Sequence, residues 1–345
     1  MERQRSGRVE SVCLVIIATI LAGAAIRWLE PVMIPFVLSL FVALGLSSLI
    51  SWFQAKLRLP HGLAVAATLL VAGLAFTLVG SVVSASIAQL SENAAVYQVQ
   101  ATRLLERLVT WIPEWAQAYL PDGGEALTQL PMAGLGKILL GTTDTVVNLL
   151  SKSLLVLIFV IFLLIGHGAS AAASGVWAEI ESRVQRYIVI KALVSALTGL
   201  LIGIVLGTLD VPLAMAFGLL AFLLNFIPSV GSLIATLLPL PVVMISPEVS
   251  SSAAVLAIAI PAGIQLLVGN VLEPKWMGAS LDLHPVALLM ALILWGMLWG
   301  IAGMLLATPI TAVMKILFEK LESTRPLADV LAGRLAKLRS PGAAA

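Results

Sequence analysis

Long uncharged stretches dominate the second half of this chain. Between residues 211 and 314 only four residues carry a charge, namely Glu248, Glu273, Lys275 and Asp282. The three longest uncharged stretches exceed the roughly 18 apolar residues that distinguish a membrane span from the buried helix of a soluble protein. The pattern therefore predicts several transmembrane helices in this region.

Eight apolar stretches along the whole chain predict transmembrane helices. They cover residues 10–28, 32–51, 61–85, 148–168, 189–208, 212–246, 251–272 and 285–317. Prolines and glycines interrupt two of them, and lipid tolerates a broken helix only where protein or a cavity satisfies the freed backbone groups. We expect an all-α membrane protein of about eight transmembrane helices, some broken or re-entrant, with 212–246 either one long crossing or a re-entrant hairpin.

The distribution of positive charge predicts the orientation of these helices. Most arginines and lysines fall on one face of the eight-helix arrangement, namely Arg3, Arg5, Arg8, Lys56, Arg58, Arg183, Arg186, Lys191, Lys315, Lys320 and Arg325. The opposite face then holds Glu30, Asp210 and the loop from Glu273 to His284. This arrangement places both termini in the cytoplasm and the loops 52–60 and 171–191 on the same side.

A polar segment separates two membrane regions and divides the chain. Its apolar residues recur at intervals of three and four, which predicts a helix with one apolar seam. The seam consists of Ile87, Leu90, Ala94, Tyr97, Ala101, Leu104, Leu108 and Trp111. It packs either against a second helix of the same domain or against another subunit. The predicted domains are 1–85 (three spans), 86–148 (a helical extramembrane domain), 149–322 (about five spans) and 323–345 (a cytoplasmic tail with a short amphipathic helix).

Composition agrees with a membrane protein and argues against an enzyme. The 345 residues are 60% hydrophobic and 11% charged, with mean hydropathy +1.07, whereas soluble domains are about 25% charged. The sequence lacks the HExxH, GxSxG and phosphate-loop motifs that would indicate metalloprotease, esterase or nucleotide chemistry. The single cysteine, Cys13, can form no intrachain disulfide. We therefore expect no catalytic site, cofactor, metal or nucleic-acid partner.

The first candidate site is Asn225–Ser232, midway through the 212–246 stretch. Pro228 removes a backbone donor, and Gly231 permits backbone conformations that other residues avoid. We expect two half-helices to meet there, with Asn225, Pro228 and Gly231 lining a substrate pathway. The alternative is a structural kink.

The second candidate site surrounds Glu273. Gln265 and Asn270 are amides in an otherwise apolar helix, where they either line the pathway or bond to neighbouring helices. Glu273 is either a solvated cap or a site for a proton or cation, since ionisable groups at membrane depth are costly and usually functional. Asp210 and His284 are further candidates for ion or proton coupling.

The third candidate site lies in the last apolar stretch. Gly300, Gly303 and Pro309 predict a flexible or broken helix that lines the pathway, with ordinary helix packing as the alternative. An earlier stripe of small residues at Gly199, Gly203 and Gly207 predicts helix packing instead.

At these residues the chain resembles the autoinducer-2 exporter-like family of bacterial membrane proteins. Three stretches carry the resemblance: 227–231 (IPSVG), 273–285 (EPK…G…LHP) and 300–309 (GIAGMLLATP). The resemblance implies a bacterial inner-membrane location, a homo-oligomer of five subunits, and export of a small polar solute such as autoinducer-2 in quorum sensing. Because the family also includes members linked to sodium or lithium/proton antiport, it does not by itself name the substrate.

The sequence thus favours a secondary or facilitated transporter that exports a small polar solute. A sodium(lithium)/proton antiporter is the main alternative, because a carboxylate such as Glu273 at membrane depth could carry the exchanged ion. A pore or a scaffold without transport activity is the third, since few ionisable groups are available to couple an ion gradient.

Overall fold

Every regular element described by the computed structural model is helical. The model describes residues 13–14, 17–18, 20–97, 99–100, 102–103, 142–167, 175–246, 249–277, 282–322 and 324–334, without the side chains of 142–152 and 177. The helices are α1 Glu30–Leu57, α2 His61–Glu92, α3 Thr142–His167, α4 Val176–Thr208, α5 Ala214–Leu224, α6 Val230–Leu237, α7 Leu240–Ile245, α8 Ser251–Leu267, α9 Glu273–Met277, α10 Pro285–Lys320 and α11 Arg325–Leu331. A helical stretch at 20–28 precedes α1, and a π turn, Val268–Leu272, joins α8 to α9.

Five helical segments of the described chain are long and apolar enough to cross a membrane. They are Glu30–Leu57, His61–Glu92, Ala178–Thr208, Ser251–Met277 and Pro285–Lys320. These segments confirm the predicted all-α membrane fold. One boundary is wrong, because α4 begins at Val176 and its first four turns were assigned to a cytoplasmic loop. The charged residues in its first half, including Arg183 and Lys191, led us to begin the helix too late.

The chain folds into two compact units. The first contains 1–61, 152–188 and 279–345, and the second contains 62–151 and 189–278. The apolar core of the first unit is formed by α1, α4 and α10, with Phe41, Leu44, Ile180, Val184, Ala291, Trp295, Trp299, Leu306, Ala307 and Ile316 buried. The core of the second unit is formed by α4 through α8, with Ile202, Leu206, Val211, Phe217, Ala221, Ala235, Val243 and Ala257 buried.

In the second unit the 212–246 stretch is a re-entrant helical hairpin, here called the central hairpin. Helix α5 runs to Leu224, residues 225–229 turn, and α6 packs back against α5. The two arms meet so closely that a Cβ atom at Gly231 would lie 1.7 Å from the carbonyl oxygen of Leu224. Of the two arrangements that the sequence left open for this stretch, the structure adopts the hairpin.

In the first unit α10 is also a hairpin, here called the C-terminal hairpin. Its helical path breaks at Trp299 and at Gly300, where φ is 59° and ψ is −139°. The Nζ atom of Lys315 lies 3.0 Å from Oδ2 of Asp282, although a straight helix rising 1.5 Å per residue would separate them by about 50 Å. The chain therefore reverses at Gly300, and the prediction of a single crossing over 285–317 is wrong.

The reversal of α10 also corrects the predicted orientation of one loop. We placed the loop before His284 on the face opposite Lys315, but Asp282 and Lys315 are hydrogen-bonded to each other. Length and apolarity alone cannot separate a span from a hairpin, because both are long uncharged runs. The two ends of the hairpin therefore face the same side.

The C-terminal helix α11 closes the open end of this hairpin. The backbone N–H of His284 donates to the carbonyl oxygen of Leu331 at 2.9 Å. Gly333, with φ of +74°, lies directly against the His284 ring, so close that a Cβ atom would be 2.4 Å from Cδ2. A helix is present over Arg325–Leu331, within the segment predicted to form an amphipathic helix, and the further leucines of that prediction, Leu335 and Leu338, lie outside the described residues.

The predicted extramembrane seam is described only in part. Its first members, Ile87 and Leu90, belong to the last turns of α2, and Tyr97 is buried. Leu104, Leu108, Trp111 and the turn at 121–124 lie outside the described residues.

Candidate functional site

A buried ion pair is the most unusual polar feature of the second unit. Lys191 lies midway along α4 with a side chain only 3% exposed, and its Nζ donates to Oε1 of Glu273 at 2.5 Å. Glu273 is the first residue of α9, directly after the π turn. The sequence identified Glu273 as a candidate but missed Lys191, which it counted among loop cations.

A second buried polar contact lies one helical turn from Lys191. The Nδ2 atom of Asn225, at the turn of the central hairpin, donates to Oγ of Ser195 at 3.0 Å, and both residues are buried. Lys191 and Ser195 are four residues apart and share one face of α4. The predicted site residues Asn225 and Glu273 therefore contact the same face of one helix.

Glycines make the approach of α5 to α4 possible. A Cβ atom at Gly199 would lie 2.5 Å from the carbonyl oxygen of Gly218, and one at Gly218 would lie 2.6 Å from that of Gly199. Small residues at such contacts allow helix backbones to pack closely within a membrane. The predicted packing role of Gly199 is confirmed, and this packing brings Asn225 to Ser195.

The π turn places Gln265 and Glu273 on the same side of their helix. In an α-helix, residues seven apart share a face, and residues eight apart are rotated by about 80°. A π turn accommodates one additional residue, so the eight-residue separation acts as seven. Gln265 is buried, and its Nε2 has no hydrogen-bond partner among the described residues. We call Lys191, Ser195, Asn225, Gln265 and Glu273 the central polar site.

The turn of the central hairpin differs in detail from the sequence expectation. The left-handed residue is Ser229, with φ of 59°, rather than Gly231. Gly231 is required because its Cα lies against the Leu224 carbonyl, which leaves no room for a side chain. The carbonyl oxygen of Pro228 accepts from the N–H of Val230 at 2.6 Å, so the break is a compact, internally bonded turn.

The third group of predicted residues lies in the C-terminal hairpin of the first unit. Gly300 occupies the reversal and has a left-handed φ. Gly303 packs against the other arm, where a Cβ atom would lie 1.9 Å from the carbonyl oxygen of Trp295. Pro309 is buried in the returning arm. The prediction of a broken element here is confirmed.

Three other predicted residues have local structural roles. Asn270 is exposed and donates to the carbonyl of Leu266, four residues earlier on its helix. Asp210 is an exposed residue with φ of 54° in the turn after α4. His284 caps α10, since its Nδ1 accepts from the N–H of Val286 at 3.3 Å. The structure does not bring these three into the central polar site.

An ion-pair network at the open end of the C-terminal hairpin was not predicted. Asp282 pairs with the buried Lys315 and with Arg334, and Lys315 also pairs with Glu319 at 3.2 Å. Partial burial raises the pKa of Asp282, but the hydrogen bonds and charges of Lys315 and Arg334 outweigh it and hold that pKa below its usual value. The carboxylate stays ionised and fastens the C-terminal segment to the hairpin.

Metal-ion chemistry has no candidate ligand set in the described part of the chain. No three His, Cys, Asp or Glu residues come close enough there to hold an ion together. The chemistry available at the central polar site is therefore hydrogen bonding and charge pairing.

Comparison with known proteins gives a consistent result over nearly the whole chain. The model of a family described as "AI-2E family transporter" matches residues 14–323. The chain is 30% identical over 339 residues to "AI-2 transport protein TqsA" of Escherichia coli K12, covering 93% of this chain and 94% of that protein. It is 27% identical to "Putative transport protein YhhT" of the same organism, covering 94% and 95%. A Haemophilus influenzae "Putative transport protein" is 27% identical, covering 92% and 94%.

Proposed function

We propose that this chain, which belongs to the AI-2E family of transporters, exports a small polar solute such as autoinducer-2 by secondary or facilitated transport. It is a multi-pass membrane protein with a transport role. The central polar site carries the proposal, because it gathers an amide, a hydroxyl and an ion pair inside membrane-spanning elements.

The cost of these groups supports a functional role. A lysine or an acidic residue at the centre of a membrane helix costs about 2.5–3.5 kcal/mol on insertion scales. Packing alone does not require such groups, since an apolar pair of similar volume is often as stable as a buried ion pair. The π turn that presents Glu273 also supports a functional role, because π turns within α-helices occur frequently at functional sites.

The site is suited to an uncharged solute with carbonyl or hydroxyl groups. Lys191 and Glu273 neutralise each other, so the site has no net charge to hold an ion. The Gln265 amide is buried without a partner among the described residues and can donate to a solute oxygen. A sugar-like furanone such as autoinducer-2 offers such oxygens.

Transport in proteoliposomes tests this function. Wild-type protein should release labelled autoinducer-2, and Asn225→Leu should raise the KM about tenfold, since a lost hydrogen bond to a buried site costs about 1.4 kcal/mol. Asn93→Leu is the matched control, because the Asn93 amide, directly after α2, donates to the carbonyl of Gln89 and takes no part in the central polar site. Wild-type vesicles that do not move autoinducer-2 would refute the proposed substrate.

The ion pair of Lys191 and Glu273 favours the antiporter as a second candidate. A carboxylate that exchanges a proton or sodium ion against a lysine would couple transport to a gradient. In that case Glu273→Gln should abolish pH-driven sodium exchange. If the protein is instead a facilitator of neutral solutes, the same variant should retain most autoinducer-2 release. Measuring both fluxes on the same variant decides between the candidates.

We also propose six crossings with both termini in the cytoplasm of the bacterial inner membrane. The crossings are the apolar stretch 10–28 predicted from the sequence, α1, α2, α3, α4 and the segment from α8 to α9. Neither hairpin adds a crossing, because each returns to the side from which it enters. Single cysteines at Arg58, Asp210 and Lys275, in a Cys13→Ser background, test this. Arg58→Cys and Lys275→Cys should react from the cytoplasm and Asp210→Cys from outside. Any other assignment of sides refutes the topology.

We further propose that the protein forms a homo-oligomer of five subunits. The support is the family membership together with the apolar seam of 87–111. Leu104→Glu with Leu108→Glu should then lower the native mass measured by light scattering in detergent. An unchanged mass would remove the seam from the interface, and a wild-type monomer would refute the assembly.

A further inference from the structure

The returning arm of the C-terminal hairpin contains two buried hydroxyl groups that the fold leaves unsatisfied. Oγ1 of Thr308 and Oγ1 of Thr311 have no hydrogen-bond partner among the described residues, and both side chains are at least nine-tenths buried. Other buried threonines described here are bonded, as Thr68 is to the carbonyl of Ala64 at 2.8 Å. Native structures rarely leave buried polar groups unpaired without a reason.

A free backbone acceptor lies in the same turn. Pro309 has no N–H, so the carbonyl of Leu305, four residues earlier, loses its usual helical donor. Thr308 and Thr311 are three residues apart and share a helix face, and Leu305 is three residues before Thr308. About two turns of this arm therefore offer two hydroxyls and a carbonyl oxygen.

The charges next to these groups cancel. One turn further along, Lys315 pairs with Asp282 and Glu319, and Arg334 pairs with the same Asp282. The ion pairs of the described residues join two cations with two carboxylates. A bound ion would find no uncompensated partner here, and an isolated charge in such surroundings is strongly disfavoured. The groups suit a neutral ligand with hydroxyl or carbonyl oxygens.

We infer that Thr308 and Thr311, with the Leu305 carbonyl, form a second solute-binding site in the C-terminal hairpin. It rests on the proposed function, since it takes the same class of neutral, oxygen-bearing solute. Its hydroxyls donate to and accept from that solute when the hairpin arm becomes accessible during transport.

Replacing each threonine by valine, which has the same shape, distinguishes hydroxyls that bind a solute from hydroxyls that do not. Thr308→Val and Thr311→Val keep the shape of the side chain and remove only the hydroxyl. Each should raise the KM for labelled autoinducer-2 in proteoliposomes about five- to tenfold, as expected for one hydrogen bond, with unchanged or higher unfolding temperature. Thr308→Ser should restore the wild-type KM. Thr68→Val is the control, because its hydroxyl bonds within α2 and takes no part in either site.

The possible outcomes are distinct. Wild-type transport with an unchanged KM in the Thr308→Val/Thr311→Val double variant overturns this site and leaves the proposed function intact. Loss of labelled sodium transport, with autoinducer-2 transport unchanged, overturns the neutral ligand class. Wild-type protein that moves no autoinducer-2 overturns the proposed function and, with it, this inference.

Discussion

The central and C-terminal hairpins solve the same problem with different residues. Each reverses an apolar helix by placing a glycine against a carbonyl of the opposite arm, Gly231 against Leu224 and Gly303 against Trp295. Each has one left-handed residue at its reversal, Ser229 in the first and Gly300 in the second. Within a lipid bilayer no water is available to bond the backbone N–H and C=O groups at a chain reversal. Close contact between the two arms satisfies or shields these groups instead.

The hairpins differ in how their polar groups are satisfied. In the central hairpin Asn225 bonds to Ser195, whereas Thr308 and Thr311 of the C-terminal hairpin have no partner among the described residues. A buried lysine accompanies each hairpin, Lys191 the central hairpin and Lys315 the C-terminal hairpin. In each case buried hydroxyl residues lie four and seven positions from the lysine in sequence. Within the described residues, the fold thus satisfies the polar side chain of the central hairpin and leaves the two hydroxyls of the C-terminal hairpin without a hydrogen bond.

The largest expected loss of stability comes from adding a side chain at the glycines that contact the opposite arm. Gly231→Ala and Gly303→Ala should each lower the free energy of unfolding by about 3 kcal/mol, because the new Cβ would overlap backbone that cannot rotate away. Thermal unfolding in detergent measures this. Gly263→Ala is the control, since nothing lies within 4 Å of its Cβ position, and it should be neutral or stabilising. Equal effects at all three positions would show that the glycine contacts do not hold the hairpins.

Replacing a buried lysine should have the next largest effect on stability. Lys191→Met leaves Glu273 without its cation and should cost about 2–3 kcal/mol, less than a fully buried pair because Glu273 is partly exposed. The double variant Lys191→Met/Glu273→Gln should recover most of the loss. Lys315→Met should cost less, since Asp282 keeps Arg334 as a partner and Glu319 loses the cation of its ion pair. If the double variant does not recover stability, the two side chains are not coupled in the folded protein.

An intermediate effect is expected at the reversal of the C-terminal hairpin. Nε1 of Trp299 donates to the carbonyl of Ile26 at 3.2 Å, so Trp299→Phe removes one hydrogen bond and should cost about 1 kcal/mol. The central hairpin is anchored by a side-chain pair instead, and Ser195→Ala should have a similar effect. A Trp299→Phe variant that unfolds at the wild-type temperature would show that the anchor is unimportant.

The smallest effect concerns the attachment of the C-terminal segment. The folded pKa of Asp282 is depressed, so its ion pairs stabilise the fold above the ordinary aspartate pKa of about 3.9 and are lost as pH falls through the folded value. Limited proteolysis after α11 should therefore accelerate only on strong acidification. Asp282→Asn should be cleaved faster at neutral pH and show no acid-dependent increase. Wild-type cleavage that rises near pH 6 would point to another group.

The sequence predicted the chemistry of these elements better than their path. Uncharged length correctly identified membrane helices, and the motif around Pro228 correctly identified a break. The same length could not show that α10 reverses, because the reversal depends on Gly303 meeting Trp295, a contact invisible in hydropathy. Charge was misleading at Lys191, since a lone lysine near a helix end usually indicates a loop, and its partner is 82 residues away in sequence.

The π turn before Glu273 gives the chain an unusual sensitivity to length. If Val268–Leu272 became an ordinary α-helix with all its residues kept, every following side chain would rotate by about 100° about the helix axis. Glu273 would then turn away from Lys191 without any change in its own identity. A related chain with an ordinary α-helix here would need one residue fewer to keep its carboxylate on this face, so that sequence alignments of this segment can mispair functional residues.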